Sequence, residues 1–355
     1  MQSLITIKHY IIQNFYSLIF TLLVVVLLSV YLLVYIFSHT PRKPHEDELQ
    51  CSVYDNKSHN IKSKRLKHVL NGSTETDDDA SIELSVVVPS YNETGRILVM
   101  LQEAIDYLNE NFKNKFEIII VDDGSKDKTA EYCLELSKKF QDKLTNEETG
   151  ENLLRVVKLV KNRGKGGAVK HGLLHIRGKY GLFADADGAS NFKDVSKLLN
   201  KIKSEQEKRK RNNGESHSNP DTGIIAIGSR AHMVNTDAVV KRSFIRNFLM
   251  YGLHTLVYIF GIRSIKDTQC GFKLFDRKAI QQVLPYLRTE RWIFDVEILI
   301  LALRKKIVVF EIPISWHEVG GSKVDLARDS INMAIDLVVI RLAYLLGIYK
   351  DNVEC

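Results

Sequence analysis

The stretch FEIIIVDDGSKDKTAEYCLELSKKF, Phe116–Phe140, decides the fold. Its first part is an apolar run that stops at Asp122, Asp123 and Gly124. A run so short and so largely apolar, with Glu117 its one polar residue, reads as a strand. From Lys126 to Phe140 apolar residues recur at helical spacing, so the unit is strand, acidic turn, helix.

The same unit repeats on either side. Upstream, LSVVVPS is a strand and Arg96 to Phe112 a helix; downstream, LLRVVKLV, GKGGAVKHGLLHIRGK and YGLFADAD read as strand, helix and strand. Alternation at these lengths predicts an α/β fold with a mostly parallel sheet flanked by helices. Ligands of such sheets gather beyond the carboxyl ends of the strands, and four polar clusters fall there. Pro89, Tyr91, Asn92 and Glu93 follow the first strand, Asp122 and Asp123 the second, KNRGKGG the third, and Asp185 and Asp187 the fourth.

Asp185 and Asp187 are two positions apart, so at a strand end both carboxylates point into one small volume and repel unless a cation joins them. A hard divalent ion suits that pair. In NRGKGGAVKHG, residues 162–172, glycines let backbone N–H groups approach an anion, and Arg163 and Lys165 add charge just before a helix. The spacing matches neither a Walker loop nor GxGxxG. Together these clusters predict a nucleoside diphosphate shared between a basic loop and a metal, with Asp122 or Asp123 accepting hydrogen bonds from the base or ribose.

With 355 residues, 45% hydrophobic and 26% charged, the chain can bury a full core and is neither disordered nor fibrous. A net charge of +7 fits nucleic acid, an anionic membrane or phosphorylated substrates, but no nucleic-acid module is recognisable. Cys51, Cys133, Cys270 and Cys355 lack zinc or disulfide-framework spacing, which points to a reducing compartment.

Phe15 to Phe37 is a 23-residue stretch without a charge, long enough to cross a hydrocarbon core about 30 Å thick. No small-residue cleavage site follows, so it reads as one permanent transmembrane anchor after a short tail, residues 1–14. Only Lys8 precedes the span, whereas Arg42, Lys43, Lys57, Lys62, Lys64, Arg65 and Lys67 follow it. That asymmetry places the bulk of the chain in the cytosol, against the formal sequons at Asn56, Asn71 and Asn92. Residues 38–82 read as a polar stalk, 83–349 as the globular domain and 203–220 as a flexible insertion.

VVVPSYNE, VDDGSKDKT, NRGKGGAVKHG, ADADGAS and GSR occur in the order and spacing of family 2 glycosyltransferases of the GT-A fold, which the chain resembles over about residues 84–230. DTQCGFKLF, RWIFDVEIL and WHEVGGSK are similar to its polyprenyl-phosphate branch. The resemblance implies a nucleotide-sugar half at 84–190 and an acceptor half at 221–349 with interfacial helices. It implies an enzyme that transfers glucose from UDP-glucose to dolichyl phosphate, with inversion, for protein N-glycosylation at the endoplasmic reticulum membrane. The nearest rival uses GDP-mannose. A non-catalytic nucleotide-sugar binder is disfavoured by the intact acidic pair, and a processive synthase by Arg288 where its QxxRW pattern needs Gln.

By this resemblance Pro89, Tyr91, Glu93 and Asp122 hold the uridine, Arg163 and Lys165 lie near the diphosphate, and Asp185 and Asp187 bind Mg²⁺ or Mn²⁺. Ala189 stands where related mannose synthases carry a Gln ligand, so water fills that position. Arg230, Arg242 and Arg246 receive the acceptor phosphate, Arg being suited to bidentate phosphate binding. Asp267, Asp295 and Glu297 line the site, with Asp187, Arg230, Arg242, Asp267 and Asp295 forming the expected catalytic set. Near the C-terminus, around 324–348, Asp325, Asp329, Asn332 and Asp336 make one polar stripe, marking an amphipathic helix that packs on the domain or lies in the interface. The sequence leaves oligomeric state open, a homo-oligomer included.

Overall fold

In the computed structural model, residues 2–70, 82–211, 221–233, 252, 255–256, 262–321 and 326–351 are described. Helix α1 runs from Gln2 to Phe37, so the tail expected at 1–14 continues the helix. From Phe15 to Phe37 its side chains are exposed except Val34, and Asn14–Phe37 is long and apolar enough to cross a membrane.

The stalk reading of residues 38–82 is corrected by the structure over residues 38–70; residues 71–81 lie outside the described residues. Strands β1 (Gln50–Asp55) and β2 (Asn60–Arg65) form an antiparallel hairpin that joins one edge of the main sheet. Cys51, Val53, Tyr54, Leu66 and Val69 are buried against the domain. The apolar alternation is too short and too interrupted by lysine to stand out in the sequence, because β2 is an edge strand whose side chains are all exposed.

The globular domain continues with β3 (Leu84–Ser90), α2 (Ile97–Phe112), β4 (Phe116–Asp122), α3 (Thr129–Lys139), β5 (Leu154–Lys158), α4 (Lys165–Leu173) and β6 (Tyr180–Ala184). Then come α5 (Val195–Arg211), β7 (Ile224–Ser229), β8 (Phe272–Asp276), α6 (Arg277–Val283), α7 (Phe294–Arg304), β9 (Val308–Pro313) and α8 (Leu326–Leu345). Sheet order is β2-β1-β5-β4-β3-β6-β8-β7-β9. The block β5-β4-β3-β6 is parallel, while β8 runs antiparallel to both neighbours. Residues 203–211 of the expected insertion are the last turns of α5, and the rest of that insertion lies outside the described residues.

Alternating side chains feed two cores. Val86, Val88 and Ile120 face Leu101, Cys133 and Leu198 of α2, α3 and α5, whereas Val87, Ile119 and Val121 face α4, α7 and α8. Gly172 lets α4 lie close on the sheet, since a Cβ there would collide with Val87 and Val121.

Glu117 breaks the apolar run of β4 and is fully buried. Arg155 Nη2 (2.5 Å), Arg177 Nε (2.7 Å), Arg177 N (2.8 Å) and Ser85 Oγ (2.6 Å) all donate to it. Burial pushes its carboxyl up, but the two arginines and these bonds outweigh burial and hold it at about 2. A depressed carboxyl stabilises the fold above its ordinary value and loses that contribution as pH falls toward 2. Glu117→Gln, which leaves Arg155 buried beside a neutral partner, is therefore expected to cost about 3 kcal/mol at pH 7. Thermal unfolding at pH 7 and pH 3 checks this: the difference between the proteins must shrink at the lower pH.

Candidate active site

A cleft of about 980 Å³ opens over the carboxyl ends of β3, β4 and β6. At one end Pro89, Tyr91, Glu93 and Asp123 line it; Asp185 and Asp187 form its floor; Arg328, Asp329, Asn332 and Asp336 of α8 close the other end.

Asp123, and not Asp122, faces this space. The pleat sends the two side chains to opposite sides, so Asp122 is 1% exposed and accepts from Ser125 N to close the turn. Asp123 accepts from Arg163 N (2.6 Å) and Gly164 N (2.8 Å). Its burial raises the carboxyl to about 7 even though those two donated bonds act to lower it. Glu93 is gripped bidentately by Arg96, whose Nη1 also donates to Gly320 O at 3.1 Å. Arg96 thus ties the loop after β3 to the loop after β9.

The basic loop divides its two charges. Lys165 lies in the cleft, its Nζ 2.7 Å from Asp185 Oδ1 and packed over the rings of Phe183 and Trp292. Arg163, expected beside the diphosphate, turns away: it pairs with Glu290 and donates to Arg42 O at 2.7 Å. Gly164 adopts φ +90° at the start of α4, and that turn points the neighbouring side chains apart.

Asp185 and Asp187 share the floor, and Asp187 Oδ1 accepts from Ala189 N. Gly271 leaves the space that the Asp185 carboxylate occupies; any Cβ there would overlap it. Among the described residues no group of three or more His, Cys, Asp or Glu is arranged for a metal. Two carboxylates suit an ion of the Mg²⁺ type, which keeps waters and takes its remaining ligands from substrate phosphates.

Arg230 lines the cleft and stacks 5.4 Å from the Trp316 ring centroid. Its backbone N, Nε and Nη2 all donate to Asp267 at 2.7–2.8 Å. Glu311 accepts in turn from Asp267 N and Ser229 Oγ. Asp267 is therefore behind the arginine rather than in the cleft. Asp295, 3% exposed, pairs with the fully buried Lys273 at 2.6 Å, and Glu297 accepts from Thr289 and from Tyr344 Oη. Neither lines the cleft. Arg242 and Arg246 lie outside the described residues.

Several lining residues escaped the sequence reading: Arg96, Gly271, Arg291, and both tryptophans of the chain, Trp292 and Trp316. The stripe Asp329, Asn332 and Asp336 was visible as a pattern, but it faces the cleft and not merely a neighbouring surface. Its acidic sign was the usable signal, because an acidic face is a poor match for anionic lipid.

The Glycosyl transferase family 2 model matches residues 85–284. The dolichyl-phosphate beta-glucosyltransferase of Saccharomyces cerevisiae is 59% identical over 347 residues, 98% of this chain and 99% of the relative. The human protein of the same name is 42% identical over 277 residues, 77% and 79% of the two chains. Among solved structures, glucosyl-3-phosphoglycerate synthase from Mycobacterium tuberculosis in complex with Mn²⁺, UDP-glucose and phosphoglyceric acid aligns at TM-score 0.48 and 16% identity, covering 78% of this chain and 87% of that one. The matched segment holds the strands, the basic loop and the acidic pair that build the cleft, and the chain belongs to glycosyl transferase family 2.

Proposed function

We propose that the protein transfers glucose from UDP-glucose to dolichyl phosphate, as a dolichyl-phosphate β-glucosyltransferase. The observation that carries this reading is near-full-length likeness to relatives of that name, anchor included, together with a cleft that holds an acidic pair beside a lysine. UDP-glucose lies with uridine against Pro89, Tyr91, Glu93 and Asp123 and its diphosphate over Lys165, Asp185 and Asp187. A divalent cation held by that pair would neutralise charge on the leaving diphosphate.

The acceptor needs no general base. A phosphate monoester is largely a dianion at pH 7, its second pKa being about 6. Its oxygen attacks glucose C1, the bond from C1 to the β-phosphate oxygen breaks, UDP leaves with the electron pair, and the α-linked donor gives a β-linked product. What the protein supplies is orientation and charge. Arg230, held rigid by Asp267, receives the acceptor phosphate together with Arg242 and Arg246. Asp295 keeps Lys273 in place behind the floor.

α8 has two faces. Asp329, Asn332 and Asp336 turn to the cleft, whereas Ile331, Ile335 and Leu345 are exposed on the outward side. This outward stripe lies in the membrane interface and brings the acceptor end of the cleft to the lipid. The basic flank after Phe37 supports a cytosolic orientation for the domain, on the endoplasmic reticulum membrane.

Four outcomes test this reading. Protein in liposomes given radiolabelled UDP-glucose and dolichyl phosphate forms a β-linked glucolipid; product from GDP-mannose alone would overturn the donor assignment. Protease added to intact microsomes digests the domain, and a protected, glycan-bearing domain would reverse the orientation. Asp187→Asn keeps the fold by circular dichroism but loses Mn²⁺-dependent UDP-glucose binding by calorimetry and lowers transfer at least 100-fold, about 2.7 kcal/mol. Finally, an ionised Asp123 is the better acceptor for the uracil N3–H, so UDP-glucose affinity falls as pH drops through about 7 and flattens in Asp123→Asn. Stability of the free protein runs the opposite way, since the raised carboxyl favours the fold below its ordinary value and that contribution is lost as pH rises through about 7.

A further inference from the structure

The segment leaving the anchor is tied to the domain almost at once. Val34, in the last turns of α1, is 5% exposed, and α1 packs against α8. Two residues past the helix, His39 Nε2 lies 3.2 Å from Asp336 Oδ1, and His39 N donates to Tyr349 Oη. At Arg42 the guanidinium pairs with Glu48 at 2.5 Å, and the carbonyl accepts from Arg163. Glu48 is fully buried and also accepts from Val160 N and His45 N.

These ties reach both walls of one cleft. Asp336 lines its α8 end, and Arg163 sits beside Gly164 and Lys165, which line its diphosphate end. A free 45-residue tether would let the domain wander roughly 35 Å from the membrane exit. Here five residues beyond Phe37 already meet the basic loop.

We infer that His39 is a positioning residue: through Asp336 it clamps the anchor to the acceptor wall and sets the height of the cleft above the bilayer, which governs how a membrane-borne phosphate enters. This rests on the proposed acceptor. The His39 side chain is part-exposed at the membrane exit and makes no contact with the cleft floor, so it acts on access and not on chemistry.

Full-length protein in nanodiscs separates the two. His39→Ala should raise KM for long-chain dolichyl phosphate in the bilayer about 5- to 10-fold while leaving the UDP-glucose KM and the rate with a short, water-soluble isoprenyl phosphate unchanged. His39→Gln, whose amide can donate to Asp336, should restore most of the lipid KM. Equal losses with both acceptors, or an unchanged lipid KM, would overturn the inference. A readout free of catalysis is energy transfer between a dye at Lys350 and headgroup-labelled lipid. One narrow distance in the wild type should broaden in His39→Ala, and an unchanged distribution defeats the clamp whichever substrate the enzyme uses. Absence of transfer by the wild type, with that broadening present, would instead count against the proposed acceptor alone.

Discussion

The contact between Lys165 and Asp185, 2.7 Å long, is the constraint around which the cleft is arranged. The Asp185 carboxylate stands just past the end of β6, half-buried, and its lysine partner comes from the first turn of α4. The same solution recurs around the site. Glu93 meets Arg96, Asp267 meets Arg230, Asp295 meets Lys273, and Asp123 meets two backbone N–H groups. Apart from Glu93 and Arg96, which share one turn, these pairings join residues from different elements or loops, so the charges that hold the walls together also fix the direction in which each side chain points. A site preorganised this way has little reorganisation left to do when charge moves onto a leaving diphosphate.

This pairing also sorts residues that resemblance alone had treated as equals. Asp267 and Asp295 carry the sequence context of a site, yet they serve as anchors for Arg230 and Lys273. A carboxylate that accepts two or three bonds from an arginine has little left for a substrate, whereas the arginine retains donors directed into the cleft. The buried acids are then support for cations, whereas Asp185 and Asp187 are half-buried and line the cleft itself.

The parallel block and its rim were legible because buried strands must be apolar throughout and because chain direction puts their ends on one side. The acidic pair was expected at a strand end on the two-residue period, but β6 stops at Ala184 and both carboxylates sit in the turn after it. What resisted reading were choices made by tertiary packing. Asp122 and Asp123 are chemically equal in sequence, and only the pleat decides which one faces the cleft. Arg163 and Lys165 both suit an anion, but Glu290, far along the chain, captures the arginine. The hairpin at 50–65 hides among lysines because its outer strand is solvated on every side chain, and its inner strand contributes few buried residues.

The hairpin changes the meaning of the whole N-terminal region. Had 38–82 been a solvated stalk, anchor and catalytic domain would be two bodies on a tether. Instead the segment from Phe37 to Glu48 runs under the basic loop and across to α8, with Glu48 buried at the junction and the imidazole of His171 against its carbonyl. Burying a carboxylate there is tolerable only because Arg42 and two backbone N–H groups satisfy it, and burial raises its carboxyl less than those partners lower it. The exit from the apolar helix and the cleft geometry thus share the same hydrogen bonds. A change that loosens the exit segment reaches the basic loop through Arg163 and the α8 end of the cleft through Asp336.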